Sequence, residues 1–514
     1  MSRKVLLFLL YNFWSIHLLL RTTMKRFIGL CFAIAALAVG FCACEEVGGE
    51  PDGGKHPQTT PSRLWMPAFL SDGMVVQQNS VATFWGRTNP NATVTATASW
   101  GEGEIQTKAD AGGGWKLDIP TSAGSMEPQT VTIKDSHNGE VVIEDVLVGE
   151  VWHFAGQSNM EMPMKGFTNQ PVANSEQEIA ASIDMSHLRL YLVGRQASNV
   201  PLNEVANNKW LKASVADEAR SFSAIAFFAG RRMAKELGVP VGILCTPYGG
   251  TRIEAWMPAS RLYSFAPDDY KSANELSESV VAKSAPGLLY NAMIYPTLNY
   301  TVRGWGWYQG ESNRDNPYSY ARLQQAMVEE WRKAKGDTDA QMPFYYVQIS
   351  GIGKDDISGA DVIQAQWDAL KLIPNSALIT TSDVGDYYCI HYPNKKVPGE
   401  RLGDLILHKT YGRTDIKVGG PLVRSVRYEG DKVVVTFTNG EGLHTTQSPI
   451  PYVQVLDSFG NLHPATATIV DGTMEISADG VDEPKGVRYC YSTWHLSTVF
   501  NDAGVPLAPF KHRR

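Results

Sequence analysis

Between residues 64 and 147, apolar and polar side chains alternate with a period of two in short runs. V-A-T-F-W (81–85), A-T-V-T-A-T-A (92–98), W-K-L-D-I (115–119) and Q-T-V-T-I (129–133) are separated by Gly, Asn and Pro clusters. Alternation of this kind predicts half-buried strands, and their regular spacing predicts a β-sandwich. From residue 148 the pattern changes, and apolar runs alternate with stretches of helical period. A-I-A-F-F-A-G-R-R-M-A-K-E-L (224–237) reads as a helix that G-V-P (238–240) stops, and V-G-I-L-C (241–245) as the next strand. Residues 151–155, 305–308, 343–349 and 377–381 read as strands, and residues 318–335 and 361–372 as helices. Strands alternating with helices predict a mostly parallel sheet covered by helices, with the active site beyond the carboxyl ends of the strands. From about residue 414 strand-like runs return, at 422–428, 432–437, 452–457, 465–470 and 487–491, and predict a small β module.

The amino-terminal pattern is that of a processing segment. M-K-R (24–26) is a short positive region, residues 27–41 are apolar and small, and C-A-C-E-E (42–46) follows. An apolar run ending in Ala-Cys resembles a bacterial lipoprotein signal, with Met24 as the start and Cys44 as the lipidated residue. A plain secretory signal and a retained membrane anchor are the alternatives. The Gly/Pro/polar stretch 45–62 cannot bury a core and reads as a flexible tether. The expected organisation is therefore a signal segment (1–44), a tether (45–62), an amino-terminal β-sandwich domain (63–147), an α/β domain (148–412) and a small β domain (413–514). The expected location is the cell envelope or surface, with periplasmic or secreted protein as the alternative.

Composition narrows the partners. The chain has 514 residues and a net charge of −7, with no long basic run, which argues against nucleic acid. Beyond the signal region only Cys245, Cys389 and Cys490 occur, too few and too scattered for a disulfide scaffold or a cysteine metal site. No histidine or carboxylate spacing suggests a metal, and no cofactor is implied.

Four strand ends carry chemistry. After strand 151–155 comes G-Q-S-N-M, with Ser158 at the turn. It is not a G-x-S-x-G elbow, because Met160 stands where the second Gly would be. Ser158 is a nucleophile or a helix N-cap. After strand 241–245 comes T-P-Y-G-G-T-R-I-E-A-W, whose Gly249 can lend an N–H to an oxyanion hole. After strand 305–308 come Gln309 and Asn313, side-chain amides able to donate to an oxyanion. After strand 377–381 comes His391. A nucleophile, oxyanion donors and a base are what acyl transfer needs.

In this order, G-Q-S-N-M, Y-G-G-T-x-x-E-A-W, W-Y-Q-G-E-S-N and D-x-G-D-x-x-x-I-H resemble the sialate O-acetylesterase family within the SGNH hydrolases. The resemblance spans roughly residues 64–510 and implies a flavodoxin-like three-layer α/β/α domain flanked by β-sandwich-like modules. It implies that Ser158 attacks an acetyl carbonyl and that His391 shuttles the proton. It further implies an oxyanion hole built from the N–H of Ser158, the N–H of Gly249 or Gly250, and an amide of Gln309 or Asn313. Glu311 orients its loop or takes a direct part. The family often carries an Asp three residues before the histidine, where this chain has Tyr388. Asp386 completes the triad, or Asp383 does, or a backbone carbonyl orients the imidazole of a Ser–His dyad. Met160 lines the acetyl pocket or packs in the core, and Arg252 clamps a sugar carboxylate or makes a structural salt bridge.

The expected activity is removal of acetyl esters from O-acetylated sialic acids, without cofactor and touching membrane only through a lipid anchor. Acetylxylan or another acetylated polysaccharide is the alternative substrate. A surface glycan-binding lipoprotein with an inactive hydrolase domain is the alternative from another class, and Tyr388 in place of the Asp is what favours it.

Overall fold

The computed structural model describes residues 64–206 and 209–514. The expected signal segment, tether and Cys44 lie outside the described residues. The first strands are β1 (Val75–Gln77), β2 (Val81–Arg87), β3 (Thr93–Ala98), β4 (Ile105–Lys108), β5 (Gly114–Pro120) and β6 (Ser125–Asp135). β7 (Glu140–Gly156) follows, then β8 (Leu188–Leu192), β9 (Trp210–Lys212), β10 (Val241–Pro247), β11 (Gly304–Tyr308), β12 (Phe344–Val347) and β13 (Ser376–Ile379). The central sheet has the order β13-β12-β11-β7-β10-β8-β9. Neighbours along this path run parallel, except that β9 is antiparallel to β8.

Side chains of the parallel strands alternate between two cores, as a period of two requires. Val151 and Ala155 of β7, Trp305 and Trp307 of β11, and Phe344 and Tyr346 of β12 enter one core. Trp152 and Phe154, Tyr308, and Tyr345 and Val347 enter the other. Among the helices, α1 is Ser158–Glu161, α2 Ala224–Leu237, α3 Tyr320–Ala334, α4 Ser358–Ala369 and α5 Lys396–Tyr411. α2 and α5 pack on each other over the second core, through Phe227, Phe228, Leu402 and Ile406. Leu323, Met327 and Trp331 of α3 fill the first core. Trp331 meets Trp305 and Trp307 at ring-centroid distances of 6.1 and 5.7 Å, an aromatic cluster under the end of β11.

β7 is longer than the alternation predicts. It has 17 residues and passes without a break through the boundary expected at 147–148. Its first half pairs with β6 and β1, its second half with β10 and β11. The amino-terminal strands share a hydrophobic core with the central sheet, from Phe84 and Val131 to Trp305 and Trp331. A bulge marks the crossing, where Asp145 has φ +55°. The last region has its own core, with Val433, Val455, Met474 and Val487, between two four-stranded antiparallel sheets. Two of its strands, Thr473–Ser477 and Phe510–Arg513, add to those expected; the first alternates strictly, with Met474 and Ile476 turned into the core.

Candidate active site

The site lies beyond the carboxyl ends of β7, β10, β11 and β13. Gly156 ends β7 with φ +146°, and a Cβ there would come within 2.2 Å of Tyr308 O. Only glycine lets β7 and β11 run this close. The chain then turns, and Ser158 opens the single-turn helix α1. Its Oγ makes no hydrogen bond among the described residues, and neither does its N–H, which as the first helical amide has no intrahelical acceptor.

Asn159 ties the strand ends together. Fully buried, it donates through Nδ2 to Glu311 Oε1 (2.6 Å) and to Ile390 O (3.2 Å), and accepts from Lys395 Nζ (2.6 Å). The residue after Ser158 thus holds the residue before His391. Gln157 reaches the other way: its Oε1 accepts from the N–H groups of Gly310 and Ser312. The ammonium of Lys395 also sits 3.5 Å from the Tyr392 ring centroid. Burial pushes the Lys395 amine down to about 7, against the pull of Glu311, and burial pushes the Glu311 carboxyl up. Glu311 Oε2 is buried without a hydrogen-bond partner.

His391 is oriented by a residue that the sequence does not point to. Its Nδ1 lies 2.7 Å from Gln170 Oε1. An amide oxygen only accepts, so Nδ1 carries the proton and Nε2 keeps the free lone pair. Phe167 and Gln170 bond reciprocally through their backbones, and the Phe167 ring meets the imidazole edge-on at 5.0 Å. This turn grips the imidazole by its ring and by one nitrogen.

Asp386 does not serve the imidazole. Its Oδ1 accepts from the N–H groups of Tyr388 and Cys389, an Asx turn that shapes the loop. Asp383 makes a two-pronged ion pair with Arg401. Both carboxylates are engaged by nearer donors, so neither completes a triad here.

Gln309 and Asn313 also differ. Gln309 is fully buried, and its amide donates to Thr251 O (3.0 Å) and Asn313 Oδ1 (2.8 Å), while its Oε1 accepts from Tyr320. Both amide hydrogens are committed inside the protein, which removes Gln309 from the oxyanion donors. Asn313 spends one amide hydrogen on Glu254 Oε2 (3.0 Å) and keeps the other. Gly249 lies against the nucleophile: a Cβ built on it would be 3.1 Å from Ser158 Cβ. Gly250, with φ +70°, faces Lys283 instead.

Two expected substrate contacts are internal. Arg252 is 3% exposed and is held by Glu254, Asp315 and Ser312 O, so it cannot reach a sugar. Met160 is fully buried in one core with Met162, Met164 and Phe222. His153 packs on Trp331 and bonds Thr246 Oγ1. Cys245, Cys389 and Cys490 are free thiols. No group of three or more His, Cys, Asp or Glu able to hold a metal stands together among the described residues.

The geometry has a consequence in pH. Burial and the neighbouring Lys395 lower the His391 imidazole to about 4. The neutral imidazole is the form that accepts a proton, so activity falls only as pH drops through about 4. A Gln170→Glu substitution sets a carboxylate against Nδ1 and favours the imidazolium. The acid limb then moves upward by about 1–3 pH units. Profiles of kcat/KM for both proteins check this, and an unmoved limb means that another group controls it.

Residues 148–406 match a family described as "Carbohydrate esterase, sialic acid-specific acetylesterase". The chain is 26% identical over 465 residues to the sialate O-acetylesterase of Pongo abelii, covering 83% of this chain and 87% of that protein. It is 27% identical over 402 residues to the sialate O-acetylesterase of Homo sapiens, covering 72% and 76%. Among solved structures, a carbohydrate acetylesterase from Xanthomonas citri superposes with a TM-score of 0.78 at 29% identity, covering 88% of this chain and 99% of that one.

Proposed function

The chain belongs to the sialic acid-specific acetylesterase family of carbohydrate esterases, and from that premise we propose that it deacetylates sialic acids by a serine–histidine acyl-enzyme route. It is a carbohydrate O-acetylesterase, a carboxylic ester hydrolase. The observation that carries the mechanism is the Asn159 side chain, which joins the residue after Ser158 to the residue before His391. The order β10-β7-β11-β12-β13 corresponds to the flavodoxin-like order 2-1-3-4-5, with β8 and β9 added outside, and supports an SGNH-type reading of the sheet.

In the first step Ser158 Oγ bonds to the acetyl carbon while its proton passes to His391 Nε2. The Ser158 N–H and the remaining Asn313 amide hydrogen stabilise the tetrahedral oxyanion, joined by the Gly249 N–H once Glu161 Oε2, its acceptor in this structure, gives way. Collapse breaks the bond to the sugar oxygen, which takes the proton from the imidazolium. Water then attacks the acetyl-enzyme, His391 again taking and returning the proton, and acetate leaves. Gln170 holds the tautomer throughout. Replacing a carboxylate by an amide at this place weakens support for the imidazolium but keeps its orientation. Export, with lipidation at Cys44, is part of the proposal and rests on the signal-like sequence.

Acetate release from an O-acetylated sialoglycan, acetylated xylan and an aryl acetate, measured in parallel, tests this. Cleavage of the sialoglycan supports the proposal. Cleavage of xylan alone keeps the chemistry and moves the substrate. No release from any of the three returns the glycan-binding reading.

A further inference from the structure

Deepening the reading above, and resting on Gly249 as an oxyanion donor, a second feature bears on which esters this site accepts. The Gly249 N–H is not free. It donates to Glu161 Oε2 at 2.8 Å. Glu161 ends α1, one turn after Ser158, and its side chain is 13% exposed. A carboxylate therefore sits on the donor that the reaction needs, next to the nucleophile. An acetyl oxygen developing negative charge cannot share that N–H with a carboxylate, since like charges repel and one hydrogen serves one acceptor well.

The other oxygen of Glu161 is held by Arg195 Nε. Arg195 differs from Arg252 in every relevant respect. Its side chain is 55% exposed, and its only ion-pair partner among the described residues is Glu161. The guanidinium lies 5.4 Å from the Tyr248 ring centroid. Lys283 approaches the same ring at 5.9 Å, and its ammonium donates to Gly249 O at 3.0 Å. Two cations and an aromatic ring thus border the Tyr248–Gly250 loop, with one carboxylate between them and the nucleophile. Arginine with an exposed fork is suited to a second carboxylate.

We propose that Glu161 is a displaceable plug on the Gly249 amide, and that Arg195 with Lys283 takes the carboxylate of an acidic sugar in its place. Binding of the sugar acid exchanges one carboxylate for another on Arg195. Glu161 is released and the Gly249 N–H becomes available to the oxyanion. Acidity of the substrate is then read as rate as well as affinity. A neutral acetylated sugar has nothing to trade for Glu161 and meets a blocked donor. Arg195 and Lys283 touch substrate; Glu161 is a positioning residue that acts through Gly249.

The experiment compares acetate release from an O-acetylated sialic acid and from its carboxamide, which differ only in charge. An aryl acetate serves as a third, neutral ester. In the wild type, kcat/KM favours the carboxylate over the carboxamide by about 10–100-fold, the range of a charge-assisted hydrogen-bonded contact. Glu161→Ala raises kcat on the carboxamide and the aryl acetate, narrowing the ratio from below. Arg195→Gln lowers kcat/KM on the carboxylate, narrowing it from above. Glu161→Gln, which keeps the volume and weakens the pairing, falls between wild type and Glu161→Ala. Equal loss on all three esters in both Glu161 variants would overturn the plug, because Glu161 would then be holding the Gly249 loop in its working shape. A ratio unchanged by Arg195→Gln would overturn the carboxylate seat. If no ester is cleaved by wild type, the failure belongs to the esterase reading itself; cleavage of all three with no preference for charge belongs to this inference alone.

Discussion

Ser158→Ala is expected to lower kcat on every acetyl ester by about 10⁴-fold or more, the usual cost of losing an acyl-enzyme nucleophile. The substitution removes one oxygen, and that oxygen makes no hydrogen bond among the described residues. Folding stability should therefore stay within about 0.5 kcal/mol of the wild type. The combination is diagnostic. A residue serving only as a helix cap would cost stability and leave the rate, whereas Ser158 should cost the rate and leave stability. Acetate release and urea denaturation on the same preparations separate the two. His391→Ala is expected to cost a similar factor, and Ser158→Ala with His391→Ala little more than either alone, since the two act as a unit. Substantial turnover by Ser158→Ala would remove the serine from the mechanism.

The second large effect belongs to Lys395→Met. The lysine is wholly buried, with Asn159 Oδ1 as its acceptor and the Tyr392 ring beneath it. Removing the amine leaves Asn159 Oδ1 without its donor in a buried site and takes from Glu311 one of the two cations, Arg314 and Lys395, that favour its charged form; the unsatisfied buried acceptor alone costs about 1–3 kcal/mol. Adding Glu311→Gln neutralises the stranded group and should recover much of the stability, giving a coupling energy in the double-mutant cycle. Activity is expected to fall too, because Asn159 loses a partner that fixes its amide, and that amide holds Ile390 O beside His391. Misplacement by about 1 Å can cost about 10²-fold in rate. Full stability in Lys395→Met would mean that the lysine is neutral and does not offset Glu311.

Much of this site was legible from residue patterns because each of the four motifs directly follows a strand. Apolar runs of 4–7 residues located those strands, and a parallel sheet brings their carboxyl ends to one edge. What failed was assignment at the level of single hydrogen bonds. Asp386 was the nearest acid to His391 in sequence, but its carboxylate is consumed by two backbone N–H groups of its own turn. Gln170 lies 221 positions from His391 and in a loop without periodicity, so nothing in the chain announces the contact. Gln309 and Asn313 were indistinguishable as amides, and only burial and the Tyr320 hydroxyl separate them. Arg252 follows a Gly pair as a ligand-binding arginine could, yet Glu254 two residues on draws it into the core. Lys395 gave no signal, since a lysine at the start of a helix is ordinarily solvated. Arg195 likewise stands in no motif.

β7 bears on how this protein can move. It runs for 17 residues from the amino-terminal strands to the turn that carries Ser158. The bulge at Asp145 is the natural place for such a strand to flex, but it is stapled. Asp145 accepts two bonds from Arg189 of β8, at 2.7 and 3.0 Å, and pairs with Lys212 of β9 at 2.8 Å. The Arg189 guanidinium holds the Asp145 carboxyl down at about 2, so the staple stays charged through any ordinary pH. A clamshell opening between the amino-terminal layers and the central sheet would have to shear this strand and its ion pairs together. Any breathing around His391 is then a matter of short loops, such as the Phe167–Gln170 turn that touches it, and not of one layer swinging on another.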